Sequence, residues 1–411
     1  MIASRKEAIS MSVQKFIIVG ASGNVGSQLV PQLAEAGIDV LLIGRDVDKL
    51  RAAFPGYEVG SYADIAQVGE KDSTLLYLTT INNDADAPYE HFEKINVDLA
   101  VSTREQAAAA GISRFVYFSS THALDEADQS YYARSKRKAV DKLQQRASID
   151  TRIIYLPAVI GQRLSGRLAI LNNLPSLVLR GLLSALRAIK PSVTMDDIVF
   201  ALSGINDETG EKTMIVSSSQ SKNVVFISAK WLMDYASALV ILLLLWWLML
   251  AVWIAVKVQS PGPGIFSQTR VGRNGRPFTC YKFRTMHVSA PNVATHEAPP
   301  SAVTQLGSFL RRSKIDELPQ VFNILANQMS LIGPRPCLPS QTQLITERQA
   351  REVLSIKPGI TGLAQVNDID MSDPVHLAKW DERYLKLQSL LLDLKILIQT
   401  ASGRGKGDKI S

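Results

Sequence analysis

The feature that most constrains this chain is a run of 22 consecutive residues without a charge, Tyr235 to Val256, dominated by Leu, Ile, Val and Trp. At about 1.5 Å per residue, a helix of that length covers roughly 30 Å, the hydrocarbon thickness of a bilayer. A helix apolar on all faces is a membrane element or a buried core helix, and buried ones of this length are uncommon. The run starts more than 200 residues into the chain, which excludes a cleaved signal peptide. It therefore divides the 411 residues into a first domain over 13–225, a membrane helix over 229–258 and a second domain over 259–411. Residues 1–12 read as a flexible lead-in, and the last ten residues as a loose basic tail.

Bulk composition removes several classes. With 46% apolar and 20% charged residues the chain is not disordered, and it holds enough apolar side chain for sizeable cores. The balance of 45 Lys+Arg against 38 Asp+Glu, a net +7, suits phosphorylated ligands or an anionic membrane surface and gives little support to nucleic acid as a partner. Only two cysteines occur, Cys280 and Cys337, and five histidines show no metal-ligand spacing, which argues against a disulfide scaffold or a structural zinc site.

In the first domain, Phe16-Ile17-Ile18-Val19 reads as a buried strand that feeds into Gly20-Ala21-Ser22-Gly23-Asn24-Val25-Gly26 and then a helical pattern stopping at Gly37. Strand, glycine turn and helix together are the context in which glycines let the backbone approach a pyrophosphate, at the free N–H groups of a helix N-terminus. Gly20, Ser22, Gly23, Asn24, Val25 and Gly26 are thus candidate cofactor-binding residues. The second strand, Asp39 to Ile43, ends in Gly44-Arg45-Asp46. Arg45 there would pair with a 2′-phosphate and favours NADP, whereas a carboxylate would bond a ribose diol, so Asp46 keeps NAD open.

A later strand, Arg114 to Phe118, leads into Ser119-Ser120-Thr121, and Tyr132 and Lys136 follow four positions apart on one helix face. A lysine ammonium beside a phenol lowers its pKa and lets it exchange a proton with a substrate carbonyl or hydroxyl. These residues resemble the short-chain dehydrogenase/reductase superfamily, in particular its extended branch of nucleotide-sugar epimerases, dehydratases and reductases. Ile153 to Gly161 and Thr194 to Ile198 are similar to later segments of that branch. The resemblance implies an α/β fold with a Rossmann-like doubly wound parallel sheet, and catalysis by Thr121, Tyr132 and Lys136, with Ser120 as the alternative hydroxyl. Only about 60 residues follow Gly161 before the apolar run, so the part that grips the sugar is trimmed.

After the apolar run, Arg270, Arg273, Arg276, Lys282 and Arg284 fall within 15 positions, and Arg311, Arg312 and Lys314 precede Asp316-Glu317. Basic residues beside a membrane segment contact lipid headgroups. Adjacent carboxylates among arginines fit either a structural ion-pair network or a diphosphate site, in which one carboxylate holds a divalent cation and the other attacks phosphorus. Lys282-Phe283-Arg284-Thr285-Met286, Asp316 to Gln320, Gly333-Pro334-Arg335-Pro336 and Lys357 to Gln365 together resemble the bacterial sugar transferases, the monotopic polyprenyl-phosphate phosphoglycosyl transferases. The resemblance implies a small, mainly helical domain in which Asp316 attacks a UDP-sugar, releases UMP and passes the phosphosugar to undecaprenyl phosphate. It also implies that Glu317 binds Mg2+ and that Lys282, Arg284, Arg311, Arg335, Asp381 and Asp393 bind substrate. Asp381 and Asp393 fit ordinary helix-face acids equally well. Pro336-Cys337-Leu338-Pro339 and Asp370-Met371-Ser372 resemble the subgroup that handles N-acetylated 6-deoxyhexosamines.

Members of that family usually carry a proline midway in the apolar helix, so that it leaves by the face it entered; Tyr235–Val256 has none. Basic residues flank both ends, Lys222 and Lys230 before it and Lys257 and Arg270 after it, so charge gives no orientation. The expectation is a re-entrant helix bent by packing or by Ser237, at the cytoplasmic face of a bacterial inner membrane. The two resemblances together imply a bifunctional enzyme: NADPH reduction of a UDP-4-keto-6-deoxy-N-acetylhexosamine, then phosphosugar transfer. Alternatives for the first domain are a 4-epimerase and a non-catalytic nucleotide-binding module. Expected partners are UDP-sugar, undecaprenyl phosphate, membrane lipid and a second copy of the chain.

Overall fold

Phe16, Ile17, Ile18 and Val19 are all inaccessible to solvent, because the strand they form lies in the middle of a sheet covered on both faces. The computed structural model describes residues 15–68, 73–145, 148–160, 171, 173–205, 210–290 and 300–405, so the lead-in and Gly161 lie outside the described residues. These residues form two compact units, one within Met1–Leu179 and Pro191–Ser218, the other within Arg180–Lys190 and Ser219–Ser411.

The first unit is built on seven strands: β1 (Lys15–Val19), β2 (Asp39–Ile43), β3 (Glu58–Gly60), β4 (Ser73–Tyr77), β5 (Arg114–Ser120), β6 (Asp150–Leu156) and β7 (Thr213–Ile215). They pair in the order β3-β2-β1-β4-β5-β6-β7, every pair parallel. Alternation along β1 sends Phe16 and Ile18 to one face, against Leu29, Val30 and Leu33 of helix α1 (Gly26–Glu35). Ile17 and Val19 go to the other face, which carries Ala100 and Ala107 of one helix and Ala139, Val140 and Leu143 of another (Tyr131–Gln144). This is the doubly wound sheet expected from the sequence. The order reverses between β2 and β4 on either side of β1, and the glycine turn sits at that crevice. Gly20 there has φ +93°, and a Cβ on Gly26 would lie 2.6 Å from the Ala21 Cα, so both positions require glycine.

The second unit is organised by one helix, Val224–Gln259, of 36 residues, or about 54 Å. It is unbroken. No break occurs at Ser237 or elsewhere along it, and the segment contains neither proline nor glycine. One seam runs its length: Phe226, Asp234, Ala238, Val252 and Val256 are buried. Ala238 packs with Phe278, Cys280, Val321 and Ile324, and Val252 and Val256 pack with Phe283 and Leu310. The outer arc, including Leu243, Leu244, Trp246, Trp247 and Leu250, is exposed. A hairpin of Ile265–Val271 and Pro277–Phe283 follows, then helices Gln305–Arg312, Thr342–Ala350, Pro374–Leu387 and Leu390–Ala401.

Both ends of the long helix are closed by side chains. Asn223 caps its N-terminus, accepting from the Phe226 N–H at 3.3 Å. At the other end Arg284, 6% exposed, donates to the carbonyls of Val256 (3.3 Å), Ser260 (2.7 Å) and Pro261 (2.9 Å). Arg284 is therefore committed to the helix end, in contrast to its expected substrate role. Arg284→Ala should lower the thermal midpoint of the solubilised protein, at a cost of about 1.5–3 kcal/mol for charged hydrogen bonds lost. KM for the UDP-sugar that the resemblance implies should stay unchanged; a raised KM at an unaltered midpoint would return Arg284 to substrate binding.

Candidate functional site

The glycine turn opens on a cavity of about 740 Å³ in the first unit, lined by Gly20, Ser22, Gly23, Asn24, Val25, Gly26 and Arg45 and also by Ser120, Tyr132 and Lys136. All seven residues expected to bind cofactor thus line this cavity. At the tip of β2, Asp46 is spent as a helix cap: its carboxylate accepts from the Lys49 N–H at 3.0 Å and starts Val47–Ala53. Arg45, Lys49 and Tyr62 line the cavity beside it.

Strand β5 runs two residues further than its apolar pattern implied, pairing Ser119 with Tyr155 and Ser120 with Leu156. That extension places Ser120 in the cavity and carries Thr121 past the sheet end into a short helical turn, Thr121–Leu124. Burial pushes the Tyr132 phenol up, and the nearby hydroxyls of Ser120 and Thr80 pull it part of the way back. The hydroxyl beside Tyr132 is therefore Ser120, joined by Thr80, and not Thr121. Lys136 is buried and donates to the Phe118 carbonyl at 3.1 Å, 4.7 Å above the Tyr117 ring. Desolvation lowers its pKa to about 7, so its proton is exchangeable near neutrality, but it is not among the groups that set the Tyr132 phenol.

Asn96 was not legible in the sequence. It sits in a wide helical turn, Lys94–Asp98, where its Oδ1 accepts from Thr80 Oγ1 at 3.0 Å and its Nδ2 donates to Ser135 Oγ at 2.9 Å. It thus ties the Thr80 hydroxyl to the helix that carries Tyr132 and Lys136.

In the second unit, helix Gln305–Arg312 is followed by Lys314, whose φ of +58° turns the chain sharply into the two-turn 3-10 segment Ile315–Gln320. Asp316 and Glu317 start that segment, and the two carboxylates are treated differently. Glu317 Oε1 is held by Lys282 Nζ at 2.7 Å and by Arg335 at 3.3 Å. Burial opposes its charge, yet Lys282 and Arg335 outweigh it and hold its pKa below the usual carboxylate range. Asp316, 7% exposed, makes no side-chain hydrogen bond or ion pair among the described residues. Burial and the neighbouring Glu317 charge raise its pKa to about 6 against the opposing pull of Lys282, Arg311 and Arg335. Arg311 is positioned by its Nε–H bond to Thr285 Oγ1 at 2.9 Å.

Two expected substrate ligands lie elsewhere. Asp381 is buried against Arg348 at 2.7 Å, and Arg348 in turn donates to the Arg335 carbonyl at 2.8 Å. Asp393 is buried against Lys230 of the long helix at 2.8 Å and accepts from the Tyr384 hydroxyl at 2.8 Å. Each carboxylate fixes a neighbouring element, and neither bonds to the Asp316–Glu317 cluster. Among the described residues no group of three or more His, Cys, Asp or Glu could hold a metal alone. The pair fits Mg2+, which takes one or two carboxylates and completes its shell with substrate phosphates and water.

Comparison with known proteins assigns both units. Residues 225–405 match the family described as bacterial sugar transferase, and residues 20–159 match one described as NAD(P)H-binding. A UDP-glucose:undecaprenyl-phosphate glucose-1-phosphate transferase of Xanthomonas campestris pv. campestris is 41% identical over 188 residues, 43% of this chain and 38% of that protein. A protein of the same description from Caulobacter vibrioides is 39% identical over 182 residues, 42% of this chain and 67% of its own length. The chain therefore spans well under half of the Xanthomonas relative and two thirds of the Caulobacter one. Among solved structures, the Bordetella bronchiseptica enzyme WbmG in complex with NAD is similar over 50% of this chain and 73% of that one, with 18% identity and a TM-score of 0.39. On the match over 225–405 and the coverage of the Caulobacter relative, the chain belongs to the bacterial sugar transferases, here preceded by a region that matches the family described as NAD(P)H-binding.

Proposed function

We propose that this chain is a bifunctional membrane enzyme that finishes a UDP-N-acetylhexosamine in its first unit and loads the phosphosugar onto undecaprenyl phosphate in its second. The observation that carries the transferase reading is the asymmetry of the carboxylate pair. Glu317 is clamped ionised between two cations, while Asp316 makes no ion pair among the described residues and has a raised pKa. Such a carboxylate beside Arg311 and Arg335 is free to attack a phosphorus atom whose oxygens those arginines neutralise. The Asp316 carboxylate oxygen bonds the sugar-bearing phosphorus as the bond to UMP breaks; a phosphate oxygen of undecaprenyl phosphate then displaces Asp316 and regenerates it. Mg2+, held by Glu317 and Asp316 when bound, would supply further neutralisation of the diphosphate.

In the first unit, NADPH when bound would supply a hydride to the ketone carbon of a UDP-4-keto-6-deoxy sugar. Tyr132 gives its phenolic proton to the ketone oxygen, Ser120 orients that oxygen, and Lys136, with a pKa near 7, restores the proton. With Asp46 occupied as a cap, Arg45 and Lys49 are the groups placed to meet a 2′-phosphate. We place both units on the cytoplasmic side of an inner membrane. The seam on helix Val224–Gln259 supports this, since catalytic elements pack against it near both ends; were it to span, they would be drawn into hydrocarbon, where their backbone groups lack partners.

Asp316→Asn should cut UMP release by about a thousandfold or more, as expected for loss of a nucleophile, and unchanged release would remove Asp316 from that role. In the wild-type protein the rate should rise as pH increases through about 6, because the attacking carboxylate must be ionised. For the reductase, Tyr132→Phe and Ser120→Ala should each lower NADPH oxidation by roughly a hundredfold or more while Thr121→Ala changes it little. Normal turnover by Tyr132→Phe would leave the unit a nucleotide-binding module, and sugar interconversion without net NADPH loss would make it an epimerase. A cysteine at Val225 should react with impermeant maleimide only from the cytoplasmic side, and periplasmic labelling would sink the placement.

A further inference from the structure

Helix Ser176–Ile189 lies in sequence within the first domain, upstream of the family match that begins at residue 225, yet residues Arg180–Lys190 cluster with the second unit. The reason is a set of polar bonds to the base of the long helix. Ser184 Oγ donates to Asn223 Oδ1 at 2.7 Å, Asn223 Nδ2 donates to the Ser184 carbonyl at 3.0 Å, and Gln220 Nε2 donates to the Arg187 carbonyl at 2.5 Å. Since Asn223 also caps Val224–Gln259, the two helices are fixed to each other at that cap.

The anchored helix is amphipathic. At helical spacing Val178, Leu179, Leu182, Leu186 and Ile189 share one face, and Arg180, Ser184 and Arg187 the other. The two ends of its apolar face are uncovered, Val178 being 53% and Ile189 41% exposed, while Leu179, Leu182 and Leu186 between them are half-buried; Leu177, at the edge of the polar face, is 81% exposed. The exposure continues onto the first turns of the long helix, where Val224, Val225 and Ile227 are exposed too. The surrounding sequence is one-signed. From Thr151 to Met195 the chain carries Arg152, Arg163, Arg167, Arg180, Arg187 and Lys190 and no Asp or Glu.

We infer that helix Ser176–Ile189 is an in-plane anchor, docked in the headgroup layer of an anionic lipid surface beside the base of the membrane helix. A basic polar face opposite an exposed apolar face is what interfacial helices use, and continuity with an apolar membrane element selects lipid over a protein partner. The inference rests on reading Val224–Gln259 as a membrane helix, and the test separates the two.

Single cysteines at Val178, Ile189 and Arg180, with a fourth at Leu244 on the outer arc of the long helix, would be labelled with an environment-sensitive fluorophore in the full-length protein. The protein is placed in phosphatidylglycerol-containing vesicles, and the unsubstituted chain, whose Cys280 and Cys337 are buried, gives the background. Lipid-borne nitroxides should quench Val178 and Ile189 at least about threefold more than Arg180, as for a helix lying at the acyl boundary. Arg180→Glu with Lys190→Glu should lower the quenching at Val178 and Ile189 to the level found at position 180 of the parent protein in anionic vesicles and leave it unchanged in phosphatidylcholine vesicles. Lipid quenching at Leu244 with Val178 and Ile189 open to aqueous iodide overturns the inference alone. Val178 and Ile189 shielded from both quenchers also overturns it, in favour of cover by protein. Leu244 open to iodide removes the membrane reading and the anchor with it.

Discussion

The packing of one face of Val224–Gln259 along the rest of the second unit is the constraint on which that unit depends. An apolar helix would slide freely against an apolar partner, since dispersion contacts carry little directional preference. Two polar residues of the helix fix the register. Lys230 reaches Asp393, and Asp234 accepts from Ser330 Oγ and the Leu331 N–H, each at 2.9 Å. Arg284 fixes the other end. Between these points strand Pro277–Phe283 sends Phe283 into the helix seam and its neighbour Lys282 to the opposite side, where it meets Glu317. The registry of the membrane helix and the placement of the lysine that ionises Glu317 are thus consequences of the same strand.

Burying two adjacent carboxylates is costly unless cations offset them. The second unit resolves this unevenly by giving both nearest cations to Glu317. Arg335 is held from behind by Arg348, which is itself neutralised by Asp381, so a carboxylate remote from the cluster controls the geometry of a group at its centre. The unevenness has chemical value. A carboxylate locked in ion pairs is a poor nucleophile, whereas one whose charge is destabilised by burial gains when a phosphorus centre accepts its electrons.

Much of this was legible in the sequence because it depends on local pattern. Phe16–Val19, the glycine turn, Tyr132 with Lys136, and the Asp316–Glu317 segment are contiguous or one helical turn apart, so spacing alone brings their side chains together. What failed depends on contacts distant in sequence. Whether Ser120 or Thr121 faces the cavity is set by how far β5 pairs with β6, and one residue reverses the side-chain direction. Asn96 reaches Thr80 and Ser135 through tertiary packing. Arg284, Asp381 and Asp393 are polar residues near a polar site in sequence, yet their partners are a helix end, Arg348 and Lys230. The unbroken helix is a different case: the missing proline was visible, and the structure follows the simpler rule that an uninterrupted ladder stays intact.

Joining the two units in one chain also has an energetic consequence on the proposed reading. Reduction of a keto-sugar by NADPH yields a UDP-sugar, and the transferase breaks the diphosphate of that molecule and releases UMP. Covalent attachment raises the local concentration of the second catalyst around the product of the first, by an amount set by the reach of the connecting segment. A membrane anchor adds a second restriction, because undecaprenyl phosphate is confined to the bilayer while the nucleotide sugar is not. An amphipathic helix bonded to the cap of Val224–Gln259 would hold the entry to that membrane element at the headgroup layer, where the soluble and the lipid substrate meet.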